Sequence, residues 1–224
     1  MAAAIRLATL GTEMNSLALA GAGDFGRRVT RLLSGAFPAS RDVAADDLDE
    51  AFASDAAAVV VAVSRSSPGL CGHADELAYT HAKPWLPIVM EHPVLRVGPL
   101  VRPPSGPCFA CYRARRLQHD AGYSASAVFD AAYESDAALA PAGYLPHQAR
   151  LAAVVAGRFL NGGVTGLVFT FDVLSSYGGA YPVIRCHDCD REHGASYPDK
   201  PLNLAQVAVQ LAIVRNLANM PVTT

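Results

Sequence analysis

The fold is decided by the stretch Leu17-Ala18-Leu19-Ala20-Gly21-Ala22-Gly23-Asp24-Phe25-Gly26. A short apolar run leads directly into closely spaced glycines, and apolar residues then recur at helical spacing over positions 25–33. This order predicts a β-strand, a tight glycine turn and an α-helix that ends near Gly35. A continuous apolar run at positions 57–63 predicts a second strand that is covered on both faces, as in a parallel sheet.

The rest of the chain continues the alternation of strands and helices. We expect strands at 86–90, 95–101, 164–174 and 182–185, and helices at 74–82, 148–160 and 202–217. This pattern predicts an α/β fold with a mostly parallel sheet, in a single domain over residues 1–224. Two segments carry weak patterns: 40–45 is a poor strand, and the alanine-rich segment 121–147 is expected to be a surface excursion. Glycines predict a mobile turn at 177–179.

Composition excludes several classes of protein. Hydrophobic residues make up 51% of the 224 residues and charged residues 17%, which is enough apolar material for a sizeable core and excludes a disordered chain. A net charge of −2 argues against a general nucleic-acid-binding protein. No apolar run reaches the roughly 18 residues of a membrane span. The first residues have no secretory signal pattern, so a cytoplasmic location is expected.

The cysteines point to a metal. Four of the five form two C-x-x-C pairs, Cys108 with Cys111 and Cys186 with Cys189. Each pair presents two sulfurs towards one point, and zinc in structural sites favours a closed tetrahedron of four thiolates. We therefore predict a structural Zn²⁺ that joins two distant loops. A redox-active pair and an iron–sulfur cluster are the alternatives.

Other residues near the pairs are expected to lie outside the coordination shell. With four cysteines present, His187 and His193 are expected to be second neighbours of the metal or exposed. Cys71 is left over, and a buried, inert thiol is favoured over a nucleophile. Three arginines, Arg113, Arg115 and Arg116, follow the first pair. A solvated helix face is favoured for them over a basic face for an acidic leader peptide.

The glycine turn also fits G-x-G-x-x-G, so Gly21, Gly23 and Gly26 are candidate cofactor-binding residues. A nicotinamide-binding turn is followed, about 20 residues later, by an acidic residue at the end of a second strand. Asp42 has the right spacing but lies in the poor strand, and Asp24 places a negative charge where a phosphate would bind. A structural role for the turn is favoured, with nucleotide binding as the alternative.

The order of the motifs resembles the ThiF/E1-like superfamily. The resemblance rests on the glycine turn, on Gly98-Pro99-Leu100-Val101-Arg102-Pro103 leading into Pro107-Cys108-Phe109-Ala110-Cys111, and on the distant second pair. It is strongest with the branch from bacteriocin and thiazole/oxazole-modified peptide (TOMM, RiPP) clusters. That resemblance implies a Rossmann-like E1 fold, a zinc held by four cysteines and a homodimer. It also implies two partners, a precursor peptide and a YcaO-type cyclodehydratase that forms azolines.

The sequence departs from the adenylating members of this superfamily. They have an aspartate after the strand that corresponds to 57–63, an Asn-x-x-Arg-Gln element and a lysine, which together hold ATP and magnesium. Here the strand is followed by Ser64-Arg65-Ser66-Ser67, and the only lysines are Lys83 and Lys200. Without these charges the triphosphate has no clamp. We therefore expect a non-adenylating scaffold that does not use ATP. The alternatives are an active adenylating enzyme and an NAD(P)-dependent oxidoreductase.

Overall fold

The structure is a computed structural model that describes residues 14–119, 122–136, 139, 143–163, 165–186, 189–191 and 193. Its strands are β1 Leu17–Ala22, β2 Arg41–Val43, β3 Ala58–Val63, β4 Trp85–Glu91, β5 Val94–Val97, β6 Leu167–Asp172 and β7 Tyr177–Pro182. Its helices are α1 Gly23–Ala36, α2 Leu48–Ala53, α3 Pro68–Thr80, α4 Phe109–His119, α5 Tyr123–Ser135 and α6 Pro146–Gly162. The helix predicted at 202–217 lies outside the described residues.

The seven strands form one mixed sheet in the order β2-β1-β3-β4-β5-β6-β7. Strands β2, β1, β3 and β4 run parallel, whereas β5, β6 and β7 each run antiparallel to the preceding strand. The predicted α/β fold is therefore confirmed, but the sheet is mixed and not mostly parallel: the parallel strands occupy one side, from the edge strand β2 to β4, with three parallel and three antiparallel pairings. Short turns explain the β4–β5 and β6–β7 pairs, because neighbouring strands joined by a few residues must reverse direction. Strands β5 and β6 are instead joined by the long segment that contains α4, α5 and α6.

Each face of the sheet packs against its own set of helices. Strand β3 is buried throughout, and its alternate residues Val60 and Val61 point into different cores. One core lies between the sheet and helices α1 and α6, and it contains Phe25 and Phe159. The other lies under α2, α3 and the start of α4, and it contains Trp85. This three-layer arrangement explains why β3 is apolar at every position.

Close packing accounts for the glycines of the first turn. A Cβ added to Gly26 would lie 2.2 Å from the carbonyl oxygen of Ala62, so only glycine lets α1 approach β3. Gly23 has a φ of +70°, and a Cβ there would lie 2.1 Å from the Oγ atom of Ser64. The turn therefore brings the N-terminus of α1 directly beside the end of β3.

Several local predictions were wrong. Residues Arg41–Val43 do form strand β2, because pairing with β1 compensates for a weak intrinsic preference. The predicted turn at 177–179 belongs to β7, which pairs with β6 along its whole length. The predicted strand at 95–101 stops at Val97, because Gly98 has a φ of +97° and redirects the chain. Val101 then bonds to Trp85 instead.

The segment predicted as a surface excursion contains a helix. Helix α5, Tyr123–Ser135, is mostly exposed, which agrees with a surface position, but its helical structure was not predicted. The alanines favour a helix, and contacts with the loop after β3 hold it in place. None of the described helices has the length and apolarity that a membrane crossing requires.

Candidate metal centre

Two loops bring four potential metal ligands together. Cys108 directly precedes helix α4 and Cys111 lies in its first turn, while Cys189 and His193 come from the segment after β7. The three sulfurs and an imidazole nitrogen all lie within 4.8 Å of one another. Cys108, Cys111 and His193 are buried and Cys189 is partly buried. The cluster could therefore hold a metal ion.

The spacing of these atoms fits a tetrahedral ion. A zinc–sulfur bond of about 2.3 Å places two sulfurs of a tetrahedron about 3.8 Å apart, and the Cys108 and Cys189 sulfurs are separated by 3.7 Å. The Nε2 atom of His193 lies 3.3 Å from the Cys111 sulfur. A set of three thiolates and one imidazole is a common structural zinc shell.

His193 is oriented for coordination by its second nitrogen. Its Nδ1 atom lies 2.9 Å from the carbonyl oxygen of Gly106, so an Nδ1–H donor leaves Nε2 free to face the sulfurs. The sequence predicted His193 to lie outside the shell, because the two C-x-x-C pairs already supply four ligands. The spacing Cys189-x-x-x-His193 is the signal that could have identified it.

Cys186, the remaining predicted ligand, lies beside this group. Its backbone N–H donates to the Cys111 sulfur at 3.2 Å, and its own sulfur is 3.7 Å from the Cys111 carbonyl oxygen. Cys111 likewise donates its N–H to the Cys108 sulfur at 3.4 Å. Such N–H donors stabilise thiolate charge. The structure thus groups three of the four predicted cysteines with His193 and places the fourth in direct contact with them.

Proton sharing links the thiols. A hydrogen bond from Cys111 lowers the pKa of Cys108 to about 5, and the same bond raises the pKa of Cys111. Burial raises the pKa of Cys189. The lowered pKa favours the thiolate of Cys108 at neutral pH, whereas the raised pKa values favour the protonated thiols of Cys111 and Cys189. A bound cation would favour the deprotonated form of all three.

A buried carboxylate anchors both loops of the cluster. Asp75 on α3 is 1% exposed, and its Oδ1 atom accepts hydrogen bonds from Trp85 Nε1 and from the backbone N–H of Phe109, each at 3.1 Å. Its other oxygen pairs with Arg191, whose guanidinium also lies 4.5 Å from the ring centre of Tyr79. Phe109 follows Cys108 and Arg191 follows Cys189 by two residues, so Asp75 fixes the positions of both ligands.

The leftover cysteine lies outside the metal cluster. Cys71 is 1% exposed within α3 and packs in the core. Burial, together with the negative charges of Asp75 and Glu134, raises the pKa of its thiol to about 12. A thiol with so little thiolate at neutral pH is a poor nucleophile, in agreement with the inert role expected from the sequence.

Polar contacts within the chain occupy the carboxyl ends of β1 and β3, beside the glycine turn. The Ser64 hydroxyl donates to the Ala22 carbonyl at 3.1 Å, between the ends of β1 and β3. Next to it, Ser66 donates to Asp130 of α5 at 2.6 Å, and Glu134 of α5 accepts from the backbone N–H of Gly69 at 2.9 Å. Carboxylates therefore lie at the N-terminus of α3, where a phosphate would otherwise be attracted.

Comparison with known proteins identifies relatives only at the level of the fold. No protein-family model matches the chain, and no curated protein matches its sequence. The heterocyclase TruD matches with a TM-score of 0.57 and 20% identity over 80% of this chain. The E. coli microcin synthetase McbBCD complex matches with a TM-score of 0.57 and 14% identity over 81% of this chain. The microcin C7 biosynthetic enzyme MccB in complex with N-formylated MccA matches with a TM-score of 0.56 and 11% identity over 80% of this chain.

The lengths of these neighbours differ from that of the chain. The 224 residues match 27% of TruD, 70% of the McbBCD chain and 68% of MccB. A heterocyclase in complex with substrate and cofactor is matched over 24% of its length, at 16% identity and a TM-score of 0.58. The chain therefore has the fold found in part of these heterocyclases and in most of the two microcin proteins.

Proposed function

We propose that this chain is a metal-stabilised, non-adenylating E1-like component of ribosomal peptide natural-product biosynthesis. In this role it holds a precursor peptide and activates a YcaO-type cyclodehydratase partner, with which it forms azolines. The observation that supports the role is the shared fold with a heterocyclase and with microcin biosynthetic proteins. The chain acts as one domain, and a homodimer is the expected assembly.

The metal belongs to the fold in this proposal. Cys108, Cys111 and Cys189 hold a Zn²⁺, and the fourth position is filled by His193 or by Cys186 from the second predicted pair. A shell with four protein ligands leaves no open position for substrate, so the ion supplies stability rather than chemistry. It joins the start of α4 to the segment after β7.

The charges near the glycine turn support a role without adenylation. The phosphates of ATP need positive charge around them. The α5 side chains at the N-terminus of α3 are instead the carboxylates Asp130 and Glu134, which already accept hydrogen bonds from the Ser66 hydroxyl and the Gly69 N–H. Within the described part of the chain, Lys83 is the only lysine, and it precedes β4 at the opposite edge of the sheet. Gly23 and Gly26 are required by packing against Ser64 and Ala62, so neither needs a nucleotide to explain it.

Metal content tests the structural part. The purified protein should contain one zinc per chain, and removal of the ion by a chelator should lower the unfolding temperature. Cys111→Ser should lose most of the metal, whereas Cys71→Ala, which removes a buried cysteine outside the cluster, should retain it. His193→Ala and Cys186→Ser compared side by side identify the fourth ligand. A chelated protein with unchanged thermal unfolding would refute the structural role.

Reconstitution tests the biosynthetic part. The chain is combined with a YcaO-type protein and a precursor encoded beside it, and mass spectrometry follows the loss of one water per ring formed. Ring formation should require both proteins. If the chain alone catalyses exchange of pyrophosphate with ATP, the scaffold role is refuted and the chain is an adenylating enzyme. Saturable binding of a nicotinamide cofactor at the glycine turn, lost in Asp42→Ala, would instead favour the oxidoreductase.

A further inference from the structure

Helix α4 and the antiparallel half of the sheet enclose an open groove with a volume of about 660 Å³. Its floor is formed by the side chains of β5, β6 and β7 that point towards α4, including Val168 and Thr170. The register pairs Val168 with Tyr181 and Asp172 with Tyr177, so both tyrosines lie on the groove side of β7. The floor therefore continues from the middle of the sheet to its outer strand.

The groove combines an excess of positive charge with apolar surface. Three guanidiniums line it, and its only carboxylate, among the described lining residues, is Glu91. Glu91 pairs with both Arg96 and Arg116, whereas Arg115 bonds to the neutral carbonyl of Arg185 at 3.0 Å and to Gln118. Among the lining residues one carboxylate thus balances three cations, and Asp172 lies on the same side of the sheet at its outer end, beside Tyr177. The net charge of the chain is −2. A concave basic surface on an acidic protein attracts an acidic partner.

The surroundings of the groove fit an extended chain better than a compact ion. Tyr177 is 67% exposed and Tyr181 43%, and Leu174 and Ile184 just beyond β7 are also exposed. Four large apolar side chains on one outer strand and its flanks indicate a surface that binds a partner. In the described part of the chain, β7 has no strand on its outer side.

We propose that this groove binds an extended peptide segment in which acidic and apolar side chains alternate. The carboxylates face Arg115 and the Arg96–Arg116 pair, and the apolar side chains rest on Val168 and Tyr181. The proposal deepens the proposed function, on which it rests, because it assigns a binding surface to the precursor peptide. The α4 arginines face the sheet, where Arg116 pairs with Glu91 and Arg115 bonds to the Arg185 carbonyl, instead of pointing outwards as a solvated helix face would.

The test uses the full-length, metal-loaded protein and two short fluorescein-labelled peptides, one alternating glutamate with valine and one alternating lysine with valine. Fluorescence anisotropy should detect binding of the acidic peptide and not of the basic one, and the affinity should fall as salt is raised. Amide chemical shifts on titration should change in α4, β6 and β7. Inorganic phosphate at matched charge should compete only weakly.

Variants that add a negative charge to the groove test whether the peptide binds there, and they leave the bonds of Arg96, Arg115 and Arg116 in place. Thr170→Glu and His119→Glu each add one negative charge to the groove. Each should lower the affinity for the acidic peptide about three- to fivefold at low salt. Arg113→Gln is the control, because it removes one positive charge from the same helix outside this groove. Its affinity for the acidic peptide should stay within about a factor of two of the parent's, since a single exposed charge has a small effect.

The outcomes separate this inference from the proposed function. Equal binding of both peptides, parental affinity in both groove variants, or complete displacement by phosphate would overturn the peptide groove. If the parent protein forms rings normally but does not bind the acidic peptide, the biosynthetic role stands and the groove is refuted. If the acidic peptide binds as described but no ring forms with any partner, the groove stands and the biosynthetic role fails.

Discussion

Replacing Asp75 by asparagine should destabilise the protein and weaken metal binding together. The asparagine keeps an oxygen for Trp85 and Phe109, so those two hydrogen bonds survive. It presents an amide to Arg191, whose guanidinium loses its counter-ion. Breaking a buried ion pair costs about 3–5 kcal/mol. Because the Arg191 side chain is 24% exposed and can be hydrated, we expect the lower end, about 3 kcal/mol.

The metal should respond because Arg191 lies two residues after Cys189. Loss of a residue that orients metal ligands costs about ten- to a hundredfold in metal affinity, and we expect about tenfold for Asp75→Asn. Urea unfolding of the metal-free protein gives the change in stability, and competition with a chromophoric chelator gives the metal affinity. A double-mutant cycle with Arg191→Met isolates the pair, since methionine retains the aliphatic contact and removes the charge.

A surface variant provides the control. Asp49 pairs with His73, and its side chain is 75% exposed, so Asp49→Asn should change the free energy of unfolding by no more than about 0.5 kcal/mol. A coupling energy between Asp75 and Arg191 below about 0.5 kcal/mol, together with unchanged metal affinity, would refute the view that this carboxylate anchors both loops.

Three further outcomes are expected. Cys71 should resist alkylation at pH 8 in the native protein and react on unfolding, because its pKa is about 12; rapid native labelling, followed by peptide mass spectrometry, would show an accessible thiolate. Gly26→Ala should lower the free energy of unfolding by about 2 kcal/mol or more because its Cβ meets the Ala62 oxygen. The control Gly35→Ala, with nothing within 4 Å of its Cβ, should be neutral or stabilising in the same urea titration. Metal affinity should fall as pH falls, because the raised pKa values of Cys111 and Cys189 mean that protons compete for these sulfurs; calorimetry in buffers of different ionisation enthalpy should detect proton release, and pH-independent binding would contradict it.

Sequence periodicity predicted the parts of the fold in which local preference and tertiary packing agree. The strand–turn–helix unit of β1 and α1 was predicted because apolar residues, glycines and helical spacing all point to the same structure. Strand β3 was predicted because both of its faces are buried, so its sequence is apolar throughout. Helix α6, predicted at 148–160, ends at Gly162, and Gly163 caps it in the left-handed conformation that glycine adopts readily.

The elements that were missed depend on partners distant in the chain. Strand β2 carries a charged residue at two of its three positions and exists through its pairing with β1. Strand β7 contains two adjacent glycines and is held by β6. Helix α5 is fixed by the contacts of Asp130 and Glu134 with residues far earlier in the sequence. No local pattern contains that information.

The amino-acid sequence by itself determined the class of fold and the presence of a cysteine-rich centre, because periodicity and C-x-x-C spacing are local properties. Tertiary structure alone decided which side chains meet. It placed His193 among the sulfurs of Cys108, Cys111 and Cys189, since the Gly106 carbonyl orients the imidazole. It also turned Arg96, Arg115 and Arg116 towards a single groove. Ligand sets and charged surfaces depend on distances between remote residues, and only the packing of helices and strands determines those distances.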